Sequence, residues 1–109
     1  MAWPLIVFIA ALTLISAGCL LPARWCPPLP NDKLLHFTAF GGLALLAGNL
    51  VNSVSALLWF HLGLLGLGWV IEMLQNLVPG RRFCWRDLFA NAVGIALATV
   101  MLLTFRPFD

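Results

Sequence analysis

Asp32, Lys33 and His36 open one segment of this chain, Glu72 and Gln75 stand three residues apart in another, Arg81 and Arg82 are adjacent, and Asp87 is followed at four and seven residues by Asn91 and Gly94. These residue types carry three kinds of chemistry. A carboxylate beside an imidazole can move protons. Histidine with carboxylates can ligate a divalent metal. Lysine and arginine recognise phosphate. The chain has four acidic residues in all, and three of them, Asp32, Glu72 and Asp87, belong to these clusters.

The rest of the sequence is apolar. Of 109 residues 62% are hydrophobic and 9% are charged, where a soluble domain carries about a quarter charged residues. Ionisable groups are expensive in or beside hydrocarbon, so their concentration in a few short segments implies a built site. The net charge of +2 rests on six basic and four acidic side chains, and no basic stripe points to nucleic acid. A helical span takes about 20 apolar residues, so four spans use most of the chain. The expectation is one domain, an all-α integral membrane bundle of four transmembrane helices.

The apolar runs place those helices at about 3–21, 32–51, 54–78 and 85–105. Pro22 and the segment Arg24-Trp25-Cys26-Pro27-Pro28-Leu29-Pro30 end the first run, since proline at that density cannot continue a helix. Asn31-Asp32 reads as a cap for the second helix. Asn49, Asn52 and Ser53 mark a short turn, and Pro79-Gly80 stops the third run. The first run is weighed against a signal peptide, because Ser16-Ala17-Gly18-Cys19 approximates a lipobox. The absence of Lys or Arg ahead of it favours a retained helix.

Short connections make successive helices antiparallel, so the first and third connections share a membrane face. Trp25, Phe83 and Trp85 then lie at one boundary and Trp3, Trp59 and Phe105 at the other, as aromatic belts do. The shared face carries Arg24, Lys33, Arg81, Arg82 and Arg86, which the positive-inside rule makes cytoplasmic. Cys26 and Cys84 fall on it too. A disulfide between them and a pair of reduced interfacial thiols are both open, the second favoured. The localisation implied is a cytoplasmic membrane crossed several times.

The same geometry gathers the polar residues. Asp32 and His36 share a helix face, as do Glu72 and Gln75, and Asp87, Asn91 and Gly94. Glu72 lies on the order of 10 Å below Pro79, toward a helix C-terminus where negative charge is disfavoured. It needs Lys33, Arg81 or a protonated His36 as partner. Ala90, Gly94 and Ala98 form a small-residue stripe suited to close helix packing. His61 sits about 16 Å from Glu72 along the helix and is expected to be structural. Arg82 and Arg86 are expected at lipid phosphates.

The segments DKLLHFTAF (32–40), IEMLQNLVPGR (71–81) and RRFCWRDLFANAVG (81–94) resemble the VanZ-like family of small bacterial membrane proteins. The resemblance covers about residues 31–95 and rests on the order and spacing of Asp32, Lys33, His36, Glu72, Gln75, Pro79, Gly80, Arg81, Asp87, Asn91 and Gly94. Cys84 stands where the family has serine. The resemblance implies a bacterial cytoplasmic-membrane protein of the cell envelope, in a family whose named member is associated with low-level resistance to the glycopeptide teicoplanin. A role outside the membrane runs against the positive-inside count.

Three functions follow from these residues. In the first, the protein binds or remodels an anionic, lipid-linked envelope precursor, with Asp32, Lys33, Gln75, Arg81 and Asn91 binding it and Glu72 shaping the pocket. In the second, it is an enzyme acting on such a lipid, with Glu72 or Asp87 as base and His36 as acid or base, with or without a divalent metal on His36, Glu72 and the aspartates. In the third, it is a structural subunit whose ion pairs fix helix packing. Binding ranks first. The lipid bilayer is the expected partner, with an anionic or lipid-linked envelope precursor as ligand, an oligomer is compatible with the sequence, and no cofactor is named by it.

Overall fold

The computed structural model describes residues 3–21, 32–80 and 82–108. The proline-rich connection with Arg24, Trp25 and Cys26 lies outside the described residues, as do Asn31, the side chain of Asp32, and Arg81. The Cys26–Cys84 pairing therefore lies outside them as well.

Four α-helices make up the described chain: α1 (Trp3–Leu20), α2 (Asp32–Ala47), α3 (Val54–Gln75) and α4 (Trp85–Phe105). No strand occurs among the described residues. Three of the helices, α1, α3 and α4, are long and apolar enough to cross a membrane. The fourth, α2, has 16 residues and is prolonged by a single 3₁₀ turn, Gly48–Leu50. Large apolar side chains line the outside, among them Leu62, Trp69, Val100 and Phe105. In water such a surface would drive association, whereas lipid accommodates it.

Local chemistry explains the helix ends. Ser53 caps α3 by accepting the Ala56 N–H on its hydroxyl at 3.1 Å, which satisfies one of the unpaired first-turn donors. At its other end α3 stops at Gln75, three residues before the apolar run does. The N–H groups of Leu77 and Val78 bond back to Leu74 and Gln75, tightening the last turn. Gly80 then takes φ 78°, a left-handed conformation that glycine adopts without steric cost. Asn76 Oδ1 accepts the Phe83 N–H at 2.7 Å, curling the connection back toward α4.

The central pair is α2 and α4, which run parallel and share the most extensive contact in the fold. Gly41 and Gly94 let their backbones meet: a Cβ on Gly94 would collide with the Phe37 carbonyl oxygen and stand 3.0 Å from the Gly41 nitrogen. Of the small-residue stripe, Gly94 and Ala98 are buried in this seam. Phe40, Leu43, Ala44, Ala47 and Ile95 complete the core around it. Helix α3 runs antiparallel to the pair and touches α4 less extensively, while α1 lies against α2 and α3. Only Phe8 of α1 is buried, edge-on to Phe60 with ring centroids 5.3 Å apart.

Candidate functional site

The start of α2, the end of α3 and the start of α4 meet at one end of the bundle, and each supplies polar side chains. Glu72 is fully buried, Asn91 is 1% exposed and Asp87 7% exposed. Their burial follows from helical phase: Asp87, Asn91, Gly94 and Ala98 lie on the α4 face that packs against α2. Gly68 makes room for Asn91, since a Cβ there would stand 3.0 Å from Asn91 Nδ2.

Within the cluster His36 is held from two sides. Its Nδ1 lies 3.1 Å from Asn91 Oδ1, and because an amide oxygen only accepts, Nδ1 is the donor. Its Nε2 faces Asp87 Oδ2 at 3.5 Å. The other carboxylate oxygen of Asp87 meets the Lys33 ammonium at 2.6 Å, a charge contact outside hydrogen-bond geometry. Glu72 Oε1 accepts the backbone N–H of Cys84 at 3.2 Å, and Glu72 Oε2 has no hydrogen-bond partner among the described residues. One donor atom each from His36, Glu72 and Asp87 lies within 4.8 Å of the others. An imidazole, two carboxylates and an ammonium so arranged can relay protons, ligate a cation, or position a polar head group.

The sequence-derived residues thus divide. Lys33, His36, Glu72, Asp87 and Asn91 come together. Gln75 is buried nearby, but its Nε2 donates to the Cys19 carbonyl at 2.7 Å, tying the end of α3 to α1. The Asp32 side chain and Arg81 lie outside the described residues, while Arg82 and Arg86 are exposed. Two contributors carried little signal in the sequence. One is the Cys84 N–H, a backbone donor at the N-cap of α4. The other is Asn76, whose place just after an apolar helix is the only sequence hint of its role.

His61 is away from the cluster and buried at 4% exposure. Its Nε2 meets the Ala44 carbonyl at 2.9 Å and its Nδ1 the Thr99 hydroxyl at 2.6 Å, so that one ring of α3 links α2 and α4.

On the outer side of the α3–α4 contact runs an apolar groove of about 760 Å³, lined by Leu62, Leu65, Gly66, Trp69, Trp85, Leu88, Phe89 and Ala92. Gly66 and Ala92 leave the space, and the three aromatic rings wall it. Trp69 and Leu65 precede Glu72 by three and seven residues on α3, and Trp85 and Leu88 flank Asp87 on α4. On α4 the groove residues lie on the face away from Asp87 and Asn91, which turn toward α2.

No family model matches this chain, and no curated protein or solved structure matches it either.

Proposed function

We propose that this protein is a multi-pass protein of the bacterial cytoplasmic membrane, a four-span bundle of the VanZ-like type, that binds or remodels an anionic, lipid-linked cell-envelope component. The observation that carries this reading is a buried polar cluster with a lysine at its edge, in a bundle that also has an apolar groove between α3 and α4. An amphiphile answers to both, with a chain for the groove and a head for Lys33 and the groups behind it. With its 3₁₀ turn, α2 reaches about 29 Å at 1.5–2.0 Å per residue, close to the hydrocarbon thickness of about 30 Å, which supports a fourth span.

Mass spectrometry of lipids retained by the protein, extracted with its native membrane, tests the reading. Lys33→Ala, together with Gly66→Leu to fill the groove, is expected to strip a phosphate-bearing lipid that the unaltered protein keeps. Equal retention by both variants would overturn it. A second reading, an enzyme on such a lipid with Glu72 and Asp87 as bases and His36 as acid, is favoured by the unpartnered Glu72 Oε2 within reach of His36 and Asp87. Turnover of a lipid phosphate by purified protein, lost in Glu72→Gln, distinguishes it from binding alone.

A further inference from the structure

We infer that His36, Glu72 and Asp87 form a binding site for one divalent transition-metal ion. The inference deepens the lipid reading and rests on it only for the ligand that the ion would meet; uptake of the ion itself stands apart. Each of the three side chains is oriented by a neighbour through one atom and offers another to a common space. Asn91 takes the Nδ1 hydrogen of His36, the Cys84 N–H takes Glu72 Oε1, and the Lys33 ammonium takes Asp87 Oδ1. What remains is His36 Nε2, Glu72 Oε2 and Asp87 Oδ2.

This is how metal-binding side chains are prepared. A ligating histidine donates its other N–H to an oxygen, which fixes the tautomer and aims the lone pair. His36 Nε2 and Asp87 Oδ2 stand 3.5 Å apart, with room for a cation that both would hold. The separation suits one. Ligands at about 2.0–2.1 Å from a tetrahedral ion are about 3.3–3.4 Å apart. Glu72, fully buried with Oε2 unpartnered among the described residues, is the third donor. It stands on the helix less tightly joined to the α2–α4 pair, so it is the donor that moves to close the set. One imidazole and two carboxylates suit zinc, manganese or iron better than a soft, thiol-seeking ion. An ion here also resolves an electrostatic conflict, since two buried carboxylates repel a phosphate that a bound dication would attract.

The experiment uses the full chain in detergent, stripped with a chelator and titrated with Co²⁺, followed by its visible absorption and by metal analysis after Zn²⁺ reloading. One Co²⁺ per chain, displaced by Zn²⁺, is expected, with binding weakened about tenfold or more in Asn91→Leu, which keeps the buried volume and removes the orienting hydrogen bond. Glu72→Gln, of unchanged shape, is expected to abolish it. Two results would overturn the inference. If the unaltered protein takes up neither ion at millimolar concentration, the cluster is an imidazolium–carboxylate–ammonium network without metal. If Glu72→Gln binds as tightly as the unaltered chain, the ion sits elsewhere. Should Glu72→Gln fail to fold, the titration of the unaltered protein decides alone. Lipid retention that persists without metal uptake would sink this inference and leave the lipid reading standing.

Discussion

The Phe37 carbonyl oxygen occupies the space that a side chain on Gly94 would need. This contact sets the distance between α2 and α4, and with it the distance from His36, next to Phe37, to Asp87, about two turns before Gly94. Gly94→Ala is expected to destabilise the protein by about 1–3 kcal/mol through overpacking, seen as a lower melting temperature in detergent. Gly42→Ala, where a Cβ meets nothing within 4 Å, is the matched control and should melt like the unaltered chain.

Lys33 compensates charge for a buried aspartate. Lys33→Met leaves Asp87 without its ammonium and is expected to lower the melting temperature, because a buried carboxylate loses its counter-charge. Lys33→Met with Asp87→Asn should recover part of that loss. Thermal melts of the two single variants and the double variant measure the coupling; strictly additive losses would show that the pair does not interact.

His61 joins three helices but touches none of the cluster. His61→Leu is expected to lower stability by roughly 1–3 kcal/mol, because the Thr99 hydroxyl and the Ala44 carbonyl lose a buried partner. Ion uptake at the proposed site at the other end of the bundle should be unchanged in the protein that remains folded. A His61→Leu protein that is stable but loses ligand would contradict this placement.

Gln75 is expected to act through α1. Gln75→Leu removes the hydrogen bond to the Cys19 carbonyl and should raise the rate at which a maleimide reaches the half-buried Cys19 thiol, in a background of Cys26→Ser and Cys84→Ser. An unchanged rate would show that α1 is held by its apolar contacts alone.

The membrane face of the site is read by Cys84, at the N-cap of α4 beside Glu72. The basic residues of the flanking connections predict a cytoplasmic position. A membrane-impermeant maleimide should therefore leave Cys84 unlabelled in intact cells and label it after permeabilisation. Labelling in intact cells would place the cluster outside, as the VanZ-like resemblance suggests.

Helical phase made much of this legible. The spacing of Asp87, Asn91 and Gly94 put them on one face, and alternation of apolar runs brought His36 and Glu72 to the same end. What phase cannot say is which partner a side chain takes once there. The sequence suggests a cation for Glu72, yet Oε1 is answered by a backbone N–H, and Lys33 goes to Asp87. Backbone donors have no residue type to betray them. Gln75 shares a face with Glu72 but its amide turns to α1, a choice set by a carbonyl 56 positions away in the chain. His61 is structural, as its distance from Glu72 implies, but its burial depends on Thr99 and Ala44, whose small polar features carry no pattern.

The parallel seam of α2 and α4 has a consequence for traffic. Helices whose backbones touch through paired glycines have no side chains between them to swing aside, so the wall formed by His36 and Asp87 does not act as a door. Helix α3 carries Glu72, borders the groove, and is joined to that wall by a smaller contact. If the protein holds a lipid as proposed, α3 is the helix whose displacement would admit it, and Glu72 is the carboxylate that would move with that helix.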